Sequence, residues 1–119
     1  MNRLQLLLNK LAEECSEESQ IALKTQQFGL HEICPGLEYT NMQRMHQELD
    51  DIQASIEMLN EEFEFCYVPN RERIEAKKLK VNEYAAYAET LGMVDNVNLS
   101  SLPLRGALIK LGWTPPSKL

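Results

Sequence analysis

Apolar side chains recur at helical spacing along most of the chain, and no segment alternates with period two for long enough to form a convincing strand. The clearest stripe advances in alternating steps of four and three residues, as in a helix that packs along one face of a bundle. That stripe consists of Met45, Leu49, Ile52, Ile56, Leu59 and Phe63. A second stripe consists of Leu4, Leu8, Leu11, Cys15 and Ala22, with Leu7 and Ile21 at its edge. These repeats predict an all-α fold.

Turn and capping residues predict where the first two helices begin and end. The first helix covers about residues 3–27 and stops at Gly29, a natural left-handed cap. The loop that follows contains a Pro-Gly pair, which favours a turn. The second helix covers about residues 41–65 and begins with Thr40 as N-cap and Gln43 three residues later, which is a capping box. We therefore expect two long helices joined by a loop.

A third long helix and a short fourth helix are predicted beyond the second. The third covers about residues 71–91, and the fourth lies between Ser101 and Gly112. The predicted inward-facing residues of the third helix are Ile74, Val81, Tyr84, Ala88 and Leu91. We assign residues 1–92 to one helical domain and treat residues 93–119 as a C-terminal extension of that domain. Three long helices leave much apolar surface uncovered, so we expect a homodimer or homotetramer to complete the bundle.

The chain of 119 residues has a net charge of −6, but its acidic residues are concentrated in the first half. Residues 13–64 contain 13 acidic and 2 basic side chains, whereas residues 71–119 contain 5 acidic and 8 basic ones. An acidic chain disfavours non-specific binding to nucleic acid, so no nucleic-acid polymer is expected as a partner. The local excess of acid indicates either a solvated helix face or a surface that holds cations.

Other classes of protein are excluded by simpler features. No stretch approaches the roughly 18–20 apolar residues of a membrane span, and the N-terminal apolar run is too short for a secretory signal. Cys15, Cys34 and Cys66 are odd in number and include no CxxC pair, which argues against a zinc–thiolate site and a disulfide framework. We therefore expect no membrane partner and a cytoplasmic location with reduced thiols.

Four carboxylates stand out, with Glu14 and Glu17 on the first predicted helix and Glu48 and Asp51 on the second. The members of each pair are three residues apart, so they share a helix face and repel each other unless a cation compensates. Glu48 lies beside the apolar stripe of its helix, where an unpaired carboxylate is costly and burial raises its pKa. An all-oxygen site of this kind suits Mg²⁺ or Mn²⁺ rather than zinc.

Other interpretations of the acidic residues stay open. The acids can form a solvated face, in which case the protein is a non-catalytic acidic adaptor that oligomerises through the Met45–Phe63 stripe. An acidic mimic of nucleic acid is a third interpretation. A di-iron bundle needs Glu-x-x-His on two helices, and neither His31 nor His46 has Glu three residues before it.

The order of the acidic motifs resembles a known family. Glu13-Glu14-x-x-Glu17 followed by Glu48-x-x-Asp51 is similar to the EExxE…ExxD signature of the MazG-like all-α nucleoside triphosphate pyrophosphohydrolases. Further segments that look like the small phage-type branch are Leu11–Lys24, Phe28-Gly29, Pro35-Gly36, Thr40-Asn41 and Lys77–Val81. The resemblance covers roughly residues 5–90.

The sequence departs from the family pattern in two places. The 30 residues between Glu17 and Glu48 slightly exceed the usual spacer, and the excess falls in the 31–39 loop, where added length is tolerated. Asp50 stands where a glycine is common in the second motif.

The resemblance implies that a (deoxy)nucleoside triphosphate and water are converted to the monophosphate and pyrophosphate. Glu14, Glu17, Glu48 and Asp51 match the positions that would hold two or three Mg²⁺ or Mn²⁺ ions per active site. Glu13 is favoured over Glu18 as the residue that positions the attacking water.

The same resemblance suggests where the substrate binds. Lys24, Lys77 and Lys80 are candidates to receive the β- and γ-phosphates. Asn41 and Tyr84 are candidates to contact the sugar or base, although a structural role for Asn41 and a core position for Tyr84 stay open. Deoxynucleotides are the expected substrate class, with dGTP favoured over dCTP or dUTP, and a phage-encoded enzyme would work in the host cytoplasm.

Overall fold

The computed structural model describes residues 1–95, where its helices are α1 (Arg3–Phe28), α2 (Asn41–Glu62) and α3 (Arg71–Thr90). The only β pairing in this range is an isolated antiparallel bridge between Ile33 and Thr40. The all-α prediction is therefore confirmed. The short helix predicted between Ser101 and Gly112 lies outside the described residues. No helix within residues 1–95 is both long enough and apolar enough to cross a membrane.

Hydrogen bonds at the caps explain where α1 and α2 begin. Asn2 Oδ1 accepts from the Gln5 N–H at 2.8 Å, and Gln5 Oε1 accepts from the Asn2 N–H at 2.9 Å. Thr40 and Gln43 form the same reciprocal pair at 3.1 and 2.9 Å, which confirms the predicted capping box. Gly29 follows α1 with a φ of +95°, a conformation that glycine adopts without steric cost. Local sequence therefore sets these helix ends.

α1 and α2 form an antiparallel hairpin within a compact unit, Met1–Tyr67. At the open end of the hairpin, the Arg3 guanidinium donates to both carboxylate oxygens of Glu62 at 2.8 and 3.0 Å. Toward the closed end, the Thr25 hydroxyl lies 3.4 Å from Met45 Sδ. Because the helices run side by side in opposite directions, the middle of α1 lies against the middle of α2.

The contact between α1 and α2 follows a repeating set of positions, which we call the seam. It consists of Leu7, Leu11, Glu14, Glu18, Ile21 and Thr25 in α1, and of Asn41, Met45, Glu48, Ile52, Ser55 and Leu59 in α2. In both helices these positions advance by alternating steps of four and three, and every one is buried or half-buried. Among the described residues, the buried hydrophobic side chains are Leu7, Ile21 and Leu59. The seam is therefore apolar toward its ends and acidic in its middle.

The seam corrects the face that the sequence predicts for α1. Leu4 and Leu8, on the predicted stripe, are 38% and 44% exposed, whereas Leu7 at its edge is buried. In α2, Leu59 is buried as predicted, but Leu49 is 50% exposed. Each helix carries two adjacent apolar faces, and a single helix does not reveal which face meets its neighbour. The predicted stripe in α1 is therefore rotated by roughly a quarter turn from the true contact face.

α3 belongs to a second compact unit, of which the structure describes residues 68–95. The helix begins with a predicted cap, because Asn70 Oδ1 accepts from the Arg73 N–H at 3.0 Å. The assignment of residues 1–92 to one domain stays a prediction.

The predicted inward face of α3 is wrong at three positions. Val81, Tyr84 and Leu91 are 53, 68 and 58% exposed. The buried residue of this helix is Asn82, whose Nδ2 donates to the Lys78 carbonyl at 3.0 Å. Ile74 and Ala88 are half-buried as predicted. The less exposed positions of α3 also include Leu79 and alanines, beside polar groups such as Asn82 that bond within the helix.

Candidate metal-binding site

Three carboxylates meet in the middle of the hairpin. Glu14 and Glu48 occupy facing seam positions, and Glu17 lies one turn after Glu14 on the exposed rim. One oxygen from each residue lies within 4.8 Å of the other two. The antiparallel pairing brings the first acidic motif against the second, although 30 residues separate Glu17 from Glu48 along the chain. The two acidic motifs therefore contribute Glu14, Glu17 and Glu48 to one group of side chains, which we call the carboxylate cluster.

Several oxygens at this site have no hydrogen-bond donor. Oε2 atoms of Glu14, Glu18 and Glu48 are inaccessible to solvent and accept no hydrogen bond from the described residues. A buried carboxylate oxygen without a partner destabilises the fold by several kcal/mol unless it is protonated or bound to a cation. Carboxylate oxygens are also the ligands that Mg²⁺ and Mn²⁺ prefer. The donor set therefore fits a hard divalent cation.

Crowding of the carboxylates raises the pKa of Glu48 from an ordinary 4.5 to about 8. The largest cause is a hydrogen bond between the protonated Glu48 carboxyl and Glu14, followed by burial and by the hydrogen bond and charge of Glu17. Without a cation, Glu48 therefore keeps its proton at neutral pH. Because a divalent cation binds the ionised form, binding releases this proton.

No basic side chain neutralises the cluster within residues 1–95. The ion pairs in this part of the chain are Arg3–Glu62, Lys10–Glu13, Arg71–Glu75 and Lys78–Glu75. None of them involves Glu14, Glu17 or Glu48. The negative charge of the cluster is therefore not balanced by a described cationic side chain.

Glu13 and Glu18 lie on different faces of α1. Glu13 is exposed and pairs with Lys10 at 3.1 Å, so it points away from the seam. Glu18 is half-buried in the seam with its Oε2 unpartnered. The sequence favours Glu13, which lies one turn before Glu17, but Glu18 lies four residues after Glu14 on the same helix face. That spacing is the signal that identifies Glu18.

Asp51 does not join the three-carboxylate cluster. It is exposed on α2 and lies three residues after Glu48, outside the seam. Its side chain is one methylene shorter than that of glutamate, so it reaches less far across the helix pair. The structure therefore does not bring Asp51 together with the other three predicted metal ligands.

Asn41 is buried, and its side chain is hydrogen-bonded to the loop between α1 and α2. It is only 1% exposed, and its Nδ2 donates to the Gly29 carbonyl at 2.9 Å and to Glu32 Oε1 at 3.3 Å. These bonds hold the loop between α1 and α2 against the start of α2. The amide of Asn41 is therefore not presented to a base or sugar.

The remaining predicted substrate residues are all exposed. Lys24 lies on α1 of the hairpin, and Lys77, Lys80 and Tyr84 lie on α3. None of the four makes a side-chain hydrogen bond or ion pair with another described residue. Their side chains are therefore accessible to a ligand.

Comparisons of the chain with protein-family models, with curated proteins and with solved structures find no match. The likeness to the MazG-like pyrophosphohydrolases therefore depends on the motif residues themselves.

Proposed function

We propose that this protein is a Mg²⁺- or Mn²⁺-dependent (deoxy)nucleoside triphosphate pyrophosphohydrolase of the MazG-like class. The observation that supports the proposal is the convergence of Glu14, Glu17 and Glu48 within 4.8 Å, from two motifs that are distant in sequence. A solvated acidic face gives no reason for carboxylate oxygens to be buried without partners in a helix contact.

Each acidic residue has a distinct part in the proposed reaction. Glu14, Glu17 and Glu48 would hold the divalent cation, which would supply positive charge for the phosphate oxygens and lower the pKa of a bound water. The carboxylate of Glu18, four residues after Glu14 on the same helix face, positions the attacking water and takes its proton. Water adds to the α-phosphorus, and the bond from that phosphorus to the bridging oxygen breaks, giving a nucleoside monophosphate and pyrophosphate.

Basic side chains receive the rest of the substrate in this proposal. Lys24, Lys77 and Lys80 are exposed and can bind the β- and γ-phosphates as point charges. Tyr84, 68% exposed, offers a ring face for the nucleobase. Deoxynucleoside triphosphates are the proposed substrates, with dGTP as the first to test, and a homodimer or homotetramer in the cytoplasm is the proposed form.

Pyrophosphate release from each deoxynucleoside triphosphate and dUTP, with Mg²⁺ or Mn²⁺, tests the activity. We expect release from at least one nucleotide and a loss of about a hundredfold or more in kcat/KM for Glu48→Gln. The matched control is Glu57→Gln, an exposed acid on the same helix, which should retain activity. No release from any nucleotide, or a fully active Glu48→Gln protein with unchanged helicity, would contradict the proposal.

The exposed apolar face of the hairpin favours a second candidate, a non-catalytic oligomerising adaptor. Leu4, Leu8 and Leu49 are all more than a third exposed. An adaptor with solvated acids binds Mn²⁺ weakly and without saturation, whereas the enzyme binds it in a saturable way. A Mn²⁺ titration therefore separates these two functions.

A further inference from the structure

The hairpin carries very few basic side chains beside its many acidic ones. Residues 13–64 contain 13 acidic residues and two basic ones, Lys24 and Arg44. Lys24 is exposed and Arg44 is half-buried, and neither makes an ion pair within residues 1–95. Arg44 is unpaired although Glu48 follows it by one turn of α2. Both positive charges are therefore available to an anion.

The fold places Lys24 and Arg44 at the same level of the hairpin. The seam residues that follow them, Thr25 and Met45, are in contact, with the Thr25 hydroxyl 3.4 Å from Met45 Sδ. Each basic residue is one position before its seam residue, and in an antiparallel pair this shared offset turns both residues toward the same side. The two cations therefore lie on one side of the helix pair, although they are distant in sequence.

The same side of the hairpin carries the exposed rim of the carboxylate cluster. Glu17 is one position before the seam residue Glu18, so it has the same offset as Lys24, which follows it by seven residues on α1. This separation is about 10 Å along the helix axis. We call the surface defined by Glu17, Lys24 and Arg44 the Glu17 side. Between the cluster and the two cations, the positions with this offset are glutamines, so no acidic residue intervenes.

Toward the open end of the hairpin, the Glu17 side has a different charge pattern. Lys10 lies seven residues before Glu17, as far from it as Lys24 in the other direction. Lys10 donates to Glu13 at 3.1 Å, so its charge is already paired. Asp51, one position before a seam residue of α2, is exposed and adds negative charge on this side. Within the described hairpin, the unpaired positive charge of the Glu17 side therefore lies toward the closed end.

The position and chemistry of Arg44 favour a phosphate as the anion. The planar guanidinium can donate two parallel N–H bonds to phosphate oxygens. Arg44 also lies near the N-terminus of α2, where the helix dipole disfavours a cation and favours an anion, and the first turn of this helix contains no acidic residue. A bound phosphate would therefore relieve an unfavourable charge at this position.

We propose that Lys24 and Arg44 form an anion subsite that binds the β- and γ-phosphates of the substrate, with the α-phosphate at the carboxylate cluster. The triphosphate then runs along the Glu17 side toward the closed end of the hairpin. When the bond between the α-phosphorus and the bridging oxygen breaks, the two cations stabilise the negative charge that develops on the departing pyrophosphate. This inference rests on the proposed function, adds Arg44 as a binding residue and gives the substrate a direction.

Isothermal titration with pyrophosphate in a buffer that contains Mg²⁺ tests the subsite without requiring hydrolysis. We expect saturable binding to the wild type and a Kd that rises about tenfold or more in Arg44→Ala, because charge-assisted hydrogen bonds are lost. Titration with dGMP should give similar Kd values for the two proteins, because a monophosphate lacks the outer phosphates.

Two lysines at equal distances from Glu17 supply a matched pair that is independent of folding at Arg44. Lys24→Ala changes an exposed lysine on the closed side of the cluster and should also raise the Kd for pyrophosphate. Lys10→Ala changes an exposed lysine on the open side and should alter this Kd by no more than about twofold. Arg44→Lys should recover part of the affinity, because lysine keeps the charge without the planar fork. Circular dichroism verifies the helicity of every variant.

The outcomes distinguish the anion subsite from the proposed function. The subsite is overturned if the wild type does not bind pyrophosphate, or if the Kd is unchanged in Arg44→Ala or Lys24→Ala. An equal loss in Lys10→Ala, or an equal loss of dGMP binding in Arg44→Ala, also overturns it. A protein that hydrolyses no nucleotide but loses pyrophosphate binding in Arg44→Ala contradicts the proposed function and retains the subsite.

Discussion

The two ends of the α1–α2 seam and its middle use the same helical repeat for different purposes. At the ends, Leu7, Ile21 and Leu59 are buried and hold the helices together. In the middle, Glu14, Glu18 and Glu48 occupy equivalent positions, and each has an oxygen that is buried without a partner. A hairpin selected for stability alone would place apolar residues at all of these positions. The contrast is what we expect if the ends provide the scaffold and the middle has the proposed role in binding a cation.

The largest effect on stability should come from the apolar ends. Leu59→Ala removes a fully buried side chain and should lower the free energy of unfolding by about 2–5 kcal/mol, since it leaves a cavity between α1 and α2. Leu49→Ala, on the exposed side of the same helix, should lower it by less than about 1 kcal/mol. Urea unfolding followed by circular dichroism measures both, and equal losses would show that the seam is misplaced.

A smaller effect, on activity, should distinguish two neighbouring acids of α1. Glu18→Gln should lower kcat by about tenfold or more, because Glu18 lies in the seam with a free oxygen. Glu13→Gln should change kcat by no more than about twofold, because Glu13 is exposed and paired with Lys10. Steady-state rates of pyrophosphate release decide between them. The reverse order would restore the sequence preference for Glu13.

The acidic middle should also make stability depend on pH. The pKa of Glu48 is about 8 in the folded protein and near its ordinary 4.5 in the unfolded chain. The stabilisation from this proton is therefore complete below about pH 4.5 and is lost as the pH rises through about 8. With a chelator present, the Tm of the wild type should fall relative to that of Glu48→Gln over this interval.

Addition of Mn²⁺ at pH 8 should reverse that fall in the wild type and have little effect on Glu48→Gln, because the cation replaces the proton. A difference in Tm between the two proteins that stays constant from pH 4.5 to pH 8 would argue against a crowded cluster.

The smallest effect should come from the salt bridge that closes the open end of the hairpin. Arg3 and Glu62 form a two-point pair at 2.8 and 3.0 Å, but both side chains are largely in contact with solvent. Arg3→Ala should lower the free energy of unfolding only slightly and by much less than Leu59→Ala, because solvent screens the pair, and 0.5 M salt should weaken the pair in the wild type. A loss of stability as large as that of Leu59→Ala would show that this ion pair, like the buried Leu59, is a main source of the stability of the hairpin.

Much of the hairpin follows from local sequence. The Thr40–Gln43 capping box and Gly29 predict helix ends to within a few residues, because caps depend on a single turn of chain. The three-residue spacing of Glu14 and Glu17 likewise predicts that both lie on adjacent parts of one face.

Which face of a helix is buried cannot be predicted from the sequence of that helix alone. Leu7 and Leu8 are neighbours of equal hydrophobicity, and the partner helix decides that Leu7 is the buried one. The partner helix also decides which acids lie at the contact. Its position makes Glu18 a seam residue and leaves Asp51 outside the cluster, and neither result can be predicted from one helix alone. In α3, the exposed Tyr84 shows that an aromatic residue at helical spacing marks a face without showing what covers it.

The proposed function requires that the acidic middle of the seam binds a divalent cation. Isothermal titration of the metal-free protein with Mn²⁺ tests it most directly, with Glu48→Gln and the exposed-acid control Glu57→Gln measured in parallel. We predict saturable binding to the wild type and to Glu57→Gln, accompanied by proton release at pH 7, and loss of both signals in Glu48→Gln. Equal binding by all three proteins, or no saturable binding by the wild type, would contradict the claim.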